Sequence, residues 1–468
     1  MTTFASVTKV NLTDTAKKKR ADYTEGSIIG SILKMGLPSM FGFLSQNVYS
    51  LVDTYWVSKL PIKETGVAAV TFFATILWFF FSFNQLVGPG SVAIISRRYG
   101  EQAYHRTEKA IKETLLLKLF FGLIFGVVGF FTVHYMLYLL GARGEALAAG
   151  TVYGRIMFLG MGIMYATFSC YTAMRSVANP AMAMILMVAS NGLNMVLDPI
   201  MMFGWFGLPA MGIEGAAWAS VIAYSITFAV GLFLMYGGHT NVRLTLSGRV
   251  PVSFESMWKM LKIGIPAWLG SMSFSSARLV ITPLIAVFGT EVVAAYGVGN
   301  QVTHFGIMIL VGIGLGLSAL IGHNMGGGKL KRAKKTADQA VLLGIGTMVF
   351  FGAVSFLFAR PIMQMFFENE VTISYGVTML KIMALGLPFF GGYMMIEEIH
   401  LGVGLNTPAM VMDIIHAWVF QVGPILLFTN ILGFDQRAIW WTISIAGALI
   451  SVVFYIYYRR GRWLTVKV

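Results

Sequence analysis

Cysteine is almost missing from this chain. Cys170 stands alone among 468 residues, which excludes an internal disulfide and any multi-cysteine metal site; inside an apolar run it reads as a small buried packing residue. Charge is also scarce. Charged residues make up 12% of the chain against 57% hydrophobic ones, with a mean hydropathy of +0.74, too apolar for an ordinary soluble globule. The polar and basic first 27 residues lack an apolar h-region and a small-residue cleavage site, so no cleaved secretory signal is expected. HExxH and DDxxD arrangements are absent, which argues against a membrane-embedded metalloenzyme, and no cofactor is expected. A channel's selectivity-loop signature is missing as well.

What is abundant is long apolar sequence. Windows of about 20 residues with few charges suit helices that cross a hydrocarbon core about 30 Å thick. Twelve occur, near residues 32–57, 66–95, 114–140, 152–175, 182–206, 214–236, 260–288, 294–322, 338–360, 376–403, 409–432 and 438–458. The formal charge of +14 is not a nucleic-acid signal, because its placement follows the helices. Lys17, Lys18, Lys19 and Arg20 precede the first; Arg97, Arg98, Arg106, Lys109 and Lys112 follow the second; Arg243 and Arg249 follow the sixth; Lys329, Lys331, Arg332, Lys334 and Lys335 follow the eighth; Arg459, Arg460 and Arg462 close the chain. The alternate loops hold only Lys59, Lys63, Arg143, Arg360 and Arg437. This is the positive-inside pattern, so both termini are expected in the cytoplasm of a multi-pass plasma-membrane protein, with the basic face toward anionic lipid headgroups and no nucleic-acid partner.

The chain also repeats itself. LKMGLPS at 33–39 returns as LKIGIPA at 261–267, and NPAMAMIL at 179–186 returns as TPAMVMDI at 407–414, both at an offset of 228; Gly100 and Arg106 are echoed by Gly326 and Arg332 at 226. Six helices per repeat is an even number, so the second half starts on the side where the first did. The expected fold is an all-α polytopic membrane protein: twelve transmembrane helices in two six-helix lobes related by a pseudo-twofold axis along the membrane normal, an arrangement that alternates access to a central cavity. The expected divisions are a cytoplasmic arm 1–27, an N-lobe 28–236, a linker 237–258, a C-lobe 259–458 and a tail 459–468. Such a design points to a functional monomer.

An ionisable group inside a spanning helix costs at least about 2.5 kcal/mol, so each is a functional candidate. Asp53 lies 15 residues after Pro38, roughly 22 Å along its helix at 1.5 Å per residue. Asp198 lies at similar depth in the fifth helix. Asn194 and Asn191 precede Asp198 by four and seven residues, and Tyr49 precedes Asp53 by four, which places partners on the same helix faces; Asn191 fits an ordinary interhelical hydrogen bond equally well. Pro199 removes a backbone donor beside Asp198. At the repeat offset the two acids map onto Ile281 and Leu426, so they serve something that only the first lobe does. The second lobe has Arg278, Glu397 and Glu398, read either as a structural ion pair or as a second proton or substrate site. Asp413 reads as solvated near the inner interface, and His304 as a packed histidine.

These residues carry a resemblance. PSMFGFLSQNVYSLVDTYWVSKL, SRRYGE, MRSVANPAMAMILMVASNGLNMVLDPI, GIEGAAWAS, KIGIPAWLG and FGTEVVAAYGVGNQ together resemble the MATE family of multidrug and toxic compound extruders, and the acids resemble its prokaryotic DinF-like branch. The likeness implies export of cationic or amphipathic organic compounds in exchange for H+ or Na+. It also implies a cation site at Asp53, Asn194, Asp198 and Ser220, with Tyr49 lining the cavity; the only metal implied is Na+ at those four residues. Ser220 stands where the family has Thr, and Ser50 where it has Asn. Arg175 matches the arginine after the fourth helix, while its second-lobe counterpart is missing around His400. Pro38 is the expected hinge of helix 1. The alternative is a flippase for lipid-linked sugars or lipids on a related two-lobe fold, which should line its cavity with several basic residues where Arg278 stands nearly alone.

Overall fold

The structure is a computed structural model describing residues 22–245 and 252–466. Lys17 to Arg20, Arg249, most of the expected arm and the middle of the expected linker lie outside the described residues. Among the described residues every regular element is helical, and twelve spans follow in order. They are α1 (Ile28–Ser58), α2 (Thr65–Gly100), α3 (Tyr104–Leu139), α4 (Gly144–Leu159 with Met161–Ser176), α5 (Pro180–Phe203), α6 (Ile213–Tyr236), α7 (Phe254–Ala286), α8 (Thr290–Gly326), α9 (Leu330–Leu357), α10 (Glu370–Val403), α11 (Asn406–Ile431) and α12 (Gln436–Arg459). Eleven are long and apolar enough to span by themselves, and the two halves of α4 make the twelfth across a 53° bend. The break falls at Gly160, where a Cβ would come within 2.6 Å of Val221. α11 widens into π-turns at Ile415–Val422 and Leu427–Ile431, on either side of Pro424, as a proline that cannot donate favours.

Several helices begin well before their apolar windows. α3 starts at Tyr104 and α9 at Leu330, because the basic segments ahead of the windows continue as helix beyond the membrane. The outer surface of α3 presents Phe120, Leu123, Val127 and Phe131, all exposed, at spacings that align on one helix face. Such a stripe is stable only against hydrocarbon.

Helices α1–α6 and α7–α12 form two lobes, and the repeat is realised as a symmetric seam between them. Gly100 leaves no room for a Cβ against the carbonyl of His323, and Gly326 leaves none against the carbonyl of Arg97; each of the four positions is its counterpart's number plus or minus 226. Ser96 packs on Gly322 at the same offset. Gly36 meets the backbone of Ile313, and its repeat partner Gly264 meets that of Leu86. Only glycine permits this approach. Pro38 lies within an unbroken α1, between the contact points Gly36 and Met40, the latter packed on Gly312.

Chain ends cross over this seam. Lys329 donates to the Thr24 hydroxyl (2.7 Å) and to Glu25 (3.2 Å), while Arg332 donates to the carbonyls of Gly26 (2.9 Å), Glu25 (3.0 Å) and Tyr23 (3.3 Å). Arg97 donates to the Val466 carbonyl (2.7 Å). The inter-lobe linker is docked too: Glu113 accepts from the Ser253 amide (2.9 Å) and the Ser256 hydroxyl (2.6 Å), and Glu108 from the amide and hydroxyl of Thr245 (both 2.7 Å).

All of these ties lie toward the face that carries the chain termini. Among the described residues, the inter-lobe hydrogen bonds farthest from it are Asn47 with Met308 and Ser82 with Met272. One turn beyond Asn47, Leu51 is 73% exposed, and two turns beyond Met272, Leu279 is 74% exposed. Among the described residues no hydrogen bond joins the lobes beyond those of Asn47 and Ser82, so the cleft is shut on the termini face and open on the far face. Gly326→Val forces the seam apart; overpacking of about 1–3 kcal/mol corresponds to about a 5- to 150-fold shift in a two-state equilibrium. Distances between spin labels on the two lobes should lengthen on the termini face and shorten on the far face.

Candidate functional site

Four helices of the N-lobe bring the acids together. α1 carries Tyr49 and Asp53, α5 carries Asn191, Asn194 and Asp198, α6 carries Ser220 and Tyr224, and α4 carries Tyr153. Asp53 is 6% exposed and Asp198 0%. The two carboxylates lie near enough to repel one another, and among the described residues no lysine or arginine pairs with either.

A directed hydrogen-bond chain runs to Asp198. The Tyr49 hydroxyl donates to Ser220 Oγ (3.2 Å), the Ser220 hydroxyl and amide donate to the Asn194 carbonyl oxygen (3.0 Å each), and the Asn194 amide donates to Asp198 Oδ2 (3.1 Å). Tyr49, Ser220 and Asn194 each find a partner within it. What stays unmatched is Asp53 Oδ1 and Asp198 Oδ1, both buried without a donor among the described residues. Pro199 cannot supply the helical donor for the carbonyl of Met195. A buried pair of carboxylates with free oxygens and no counter-charge is stable only if it takes up a proton or a hard cation. Carboxylate, amide and hydroxyl oxygens are suitable ligands for the latter.

Asn191 lies in the same series but donates to Ser45 Oγ (2.7 Å), joining α5 to α1 beside the acids. Tyr153 comes within electrostatic range of both carboxylates; no spacing in the sequence points to it. Lys118 stands as a bare charge in an apolar run, with no spacing that ties it to the acids. It is buried in α3 near Arg175.

The second-lobe set does not assemble. Arg278 is exposed and donates to Asn300 Oδ1 (3.3 Å), making no ion pair with Glu397 or Glu398 among the described residues. The reason is that α7 carries Arg278 into the open half of the cleft, whereas the glutamates lie near the other end of α10. Glu398 instead accepts from the Ser318 hydroxyl and faces Arg175 of the other lobe. Glu397 lies near Asp413. Asp413 is not solvated: it is buried beneath Gly270 and accepts from the Tyr393 hydroxyl, because α11 turns it into the lobe. His400 is spent on its own helix, donating to the Ile396 carbonyl (2.7 Å), and Cys170 is free and buried.

A bundle of membrane-spanning helices in two pseudo-symmetric lobes, with a cleft between them open to one face, defines a membrane transporter rather than an enzyme. The chain belongs to the MatE family, whose model matches residues 38–200 and 266–425, one stretch in each lobe. The probable multidrug resistance protein YpnP of Bacillus subtilis is 25% identical over 450 residues, covering 96% of this chain and 99% of that protein. The multidrug export protein MepA of Staphylococcus aureus is 26% identical over 454 residues, covering 96% and 98%. In fold, the chain is similar to a multidrug resistance MATE family transporter of the MOP superfamily in an outward-facing conformation (TM-score 0.86, 23% identity, 95% and 98% covered) and to a MATE in a bent conformation (TM-score 0.87, 23% identity, 94% and 96% covered).

Ser220→Ala cuts the chain at its middle, leaving the Tyr49 hydroxyl without its acceptor and the Asn194 carbonyl with the Ser220 amide alone, at a cost of about 1–3 kcal/mol. The detergent-solubilised variant should unfold at a lower temperature than the native protein, while Ser220→Thr, which keeps the hydroxyl, should not.

Proposed function

We propose that this protein is a cation-coupled antiporter that exports amphipathic organic cations by alternating access, and that H+ or Na+ bound at Asp53, Asn194, Asp198 and Ser220 drives it. The observation that carries this reading is the uncompensated acid pair buried in one lobe. Its two free oxygens have no structural work to do, and the second lobe keeps the scaffold without them. The names of the relatives, multidrug resistance and multidrug export, supply the substrate class. Tyr49 and Asn191 stand where cation and substrate would meet, and aromatic walls suit flat cations through cation–π contact.

The basic pattern supports termini in the cytoplasm and residence in the cell membrane, which makes the described arrangement outward-open. The divisions at 27, 236, 258 and 458, a monomeric working unit without a cofactor, and a place in the DinF-like branch complete the reading. Pro38 acts as the hinge that lets α1 follow the lobes when the seam opens. Glu397, beside Asp413, is a second titrating centre in the C-lobe. One charge moving down about 100 mV yields about 2.3 kcal/mol, enough for a roughly forty-fold substrate gradient.

The test is dye efflux from proteoliposomes under imposed H+ or Na+ gradients, for the native chain and for Asp198→Asn. Efflux should follow one gradient in the native protein and vanish in the variant. Efflux indifferent to both gradients, or untouched by the substitution, removes the coupling site and moves attention to Glu397, Glu398 or a flippase.

A further inference from the structure

The acid pair is bracketed along both helices that carry it. From the termini face outward, α1 presents Tyr49, Asp53 and Trp56, and α5 presents Asn191, Asn194, Asp198 and, at its end, Phe203. The inner members are polar and hydrogen-bonded, Tyr49 to Ser220 and Asn191 to Ser45. The outer members are aromatic. Trp56 packs edge-on against Phe203 and against Trp205, with ring centroids 6.1 Å apart in both pairs, and Phe203 and Trp205 are 6.4 Å apart. Three rings thus close a triangle at the far-face ends of α1 and α5, about one turn beyond Asp53 and Asp198 along the two helices. Tyr55 adds a fourth at 5.3 Å from Trp56, with the Lys59 ammonium 5.0 Å from its centroid. The Trp56 indole nitrogen is sealed from solvent and has no acceptor, as a donor inside a dry plug would be.

The backbone is strained to hold this arrangement. Trp205 is brought back over the end of α5 by a turn through Gly204 (φ 74°) and Phe206 (φ 57°, ψ 26°), and the latter is a bulky residue in the left-handed region. A Cβ on Gly204 would come within 2.6 Å of the Leu208 carbonyl. Phe206 itself is 89% exposed and gains no packing from its conformation. What the turn achieves is the placement of Trp205.

We propose that Trp56, Phe203 and Trp205 are a permanent seal on the outer end of the N-lobe, so that the coupling cation reaches Asp53 and Asp198 only from the inter-lobe cleft, past Tyr49 and Asn191. This rests on the coupling reading above. An ion site inside one lobe has two sides, and rocking the lobes switches only the side that meets the cleft. When the cleft opens to the termini face, a file of water through the outer end of the lobe would join the two bulk phases across the acids. The ion would then run down its gradient with no substrate moved. Aromatic rings interrupt such a file because their faces offer water no strong partner. The same seal makes cation and substrate share one route, which is the physical basis for their competition.

The test is the dissipation of an imposed H+ gradient, and separately of a Na+ gradient, across proteoliposomes holding the full chain with no substrate present. The native protein should hold both gradients. Trp205→Ala, at a half-exposed position, should dissipate the gradient of the coupling ion about tenfold faster or more, and Trp205→Phe should stay tight. Trp205→Ala combined with Asp198→Asn should be tight again, because the leak passes through the acids. Trp56→Ala breaches the same plug from α1 and should leak likewise, whether or not the Trp205 variant folds. If both alanine variants are as tight as the native protein, or if the leak survives Asp198→Asn, the seal is refuted. A native protein whose efflux ignores both gradients refutes the coupling reading instead, a result the efflux assay gives separately.

Discussion

Each carboxylate taken into hydrocarbon costs at least about 2.5 kcal/mol, and the N-lobe holds two near one another with no lysine or arginine paired to them among the described residues. That uncompensated charge is the constraint around which the lobe is organised. The hydrogen-bond chain from Tyr49 through Ser220 and Asn194 satisfies one oxygen of Asp198 and stops there. The remaining oxygens can be satisfied only by something that comes and goes. A site built for stability would have supplied a lysine. Lys118 is present in the same lobe but is placed near Arg175, away from the pair.

The second constraint is the seam. Its contacts are backbone on backbone, at Gly100 with His323 and Gly326 with Arg97, so they have no side chains that could yield gradually. Surfaces that meet this closely are either engaged or apart, which suits a two-state device. The crossing chain ends reinforce the engaged state with charged donors on backbone carbonyls, Lys329 and Arg332 on one side and Arg97 on the other. Closure on the termini face and opening on the far face are therefore two aspects of one set of contacts.

The lobes share a scaffold and divide the chemistry. Where the first lobe has Asp53 and Asp198, the second has Ile281 and Leu426. Its own acids sit elsewhere, with Asp413 capped by Tyr393 and Glu398 held by Ser318 while facing Arg175 across the seam. The first lobe thus concentrates its acids at one depth inside its own bundle, while the second sets Glu398 where the lobes meet.

Much of this was legible in the sequence, because hydrocarbon imposes length and apolarity on every span and a duplicated scaffold leaves a repeat at a constant offset. Helix number, two lobes, and Asp53, Asn194 and Asp198 as members of one polar cluster followed from those regularities and from helical spacing. Other features depend on which elements meet in space. Arg278 shares a lobe with Glu397 and Glu398, but nothing in spacing places α7 against one end of α10 rather than the other. Asp413 looked solvated by its position in the chain and is buried by the packing of α11 beneath Gly270. Tyr153 comes near the acids, and Trp205 packs on Trp56, through contacts between segments far apart in sequence. Periodicity along a chain reports the environment of each helix; it carries no information on which neighbour a face will meet, and that was decided by tertiary packing alone.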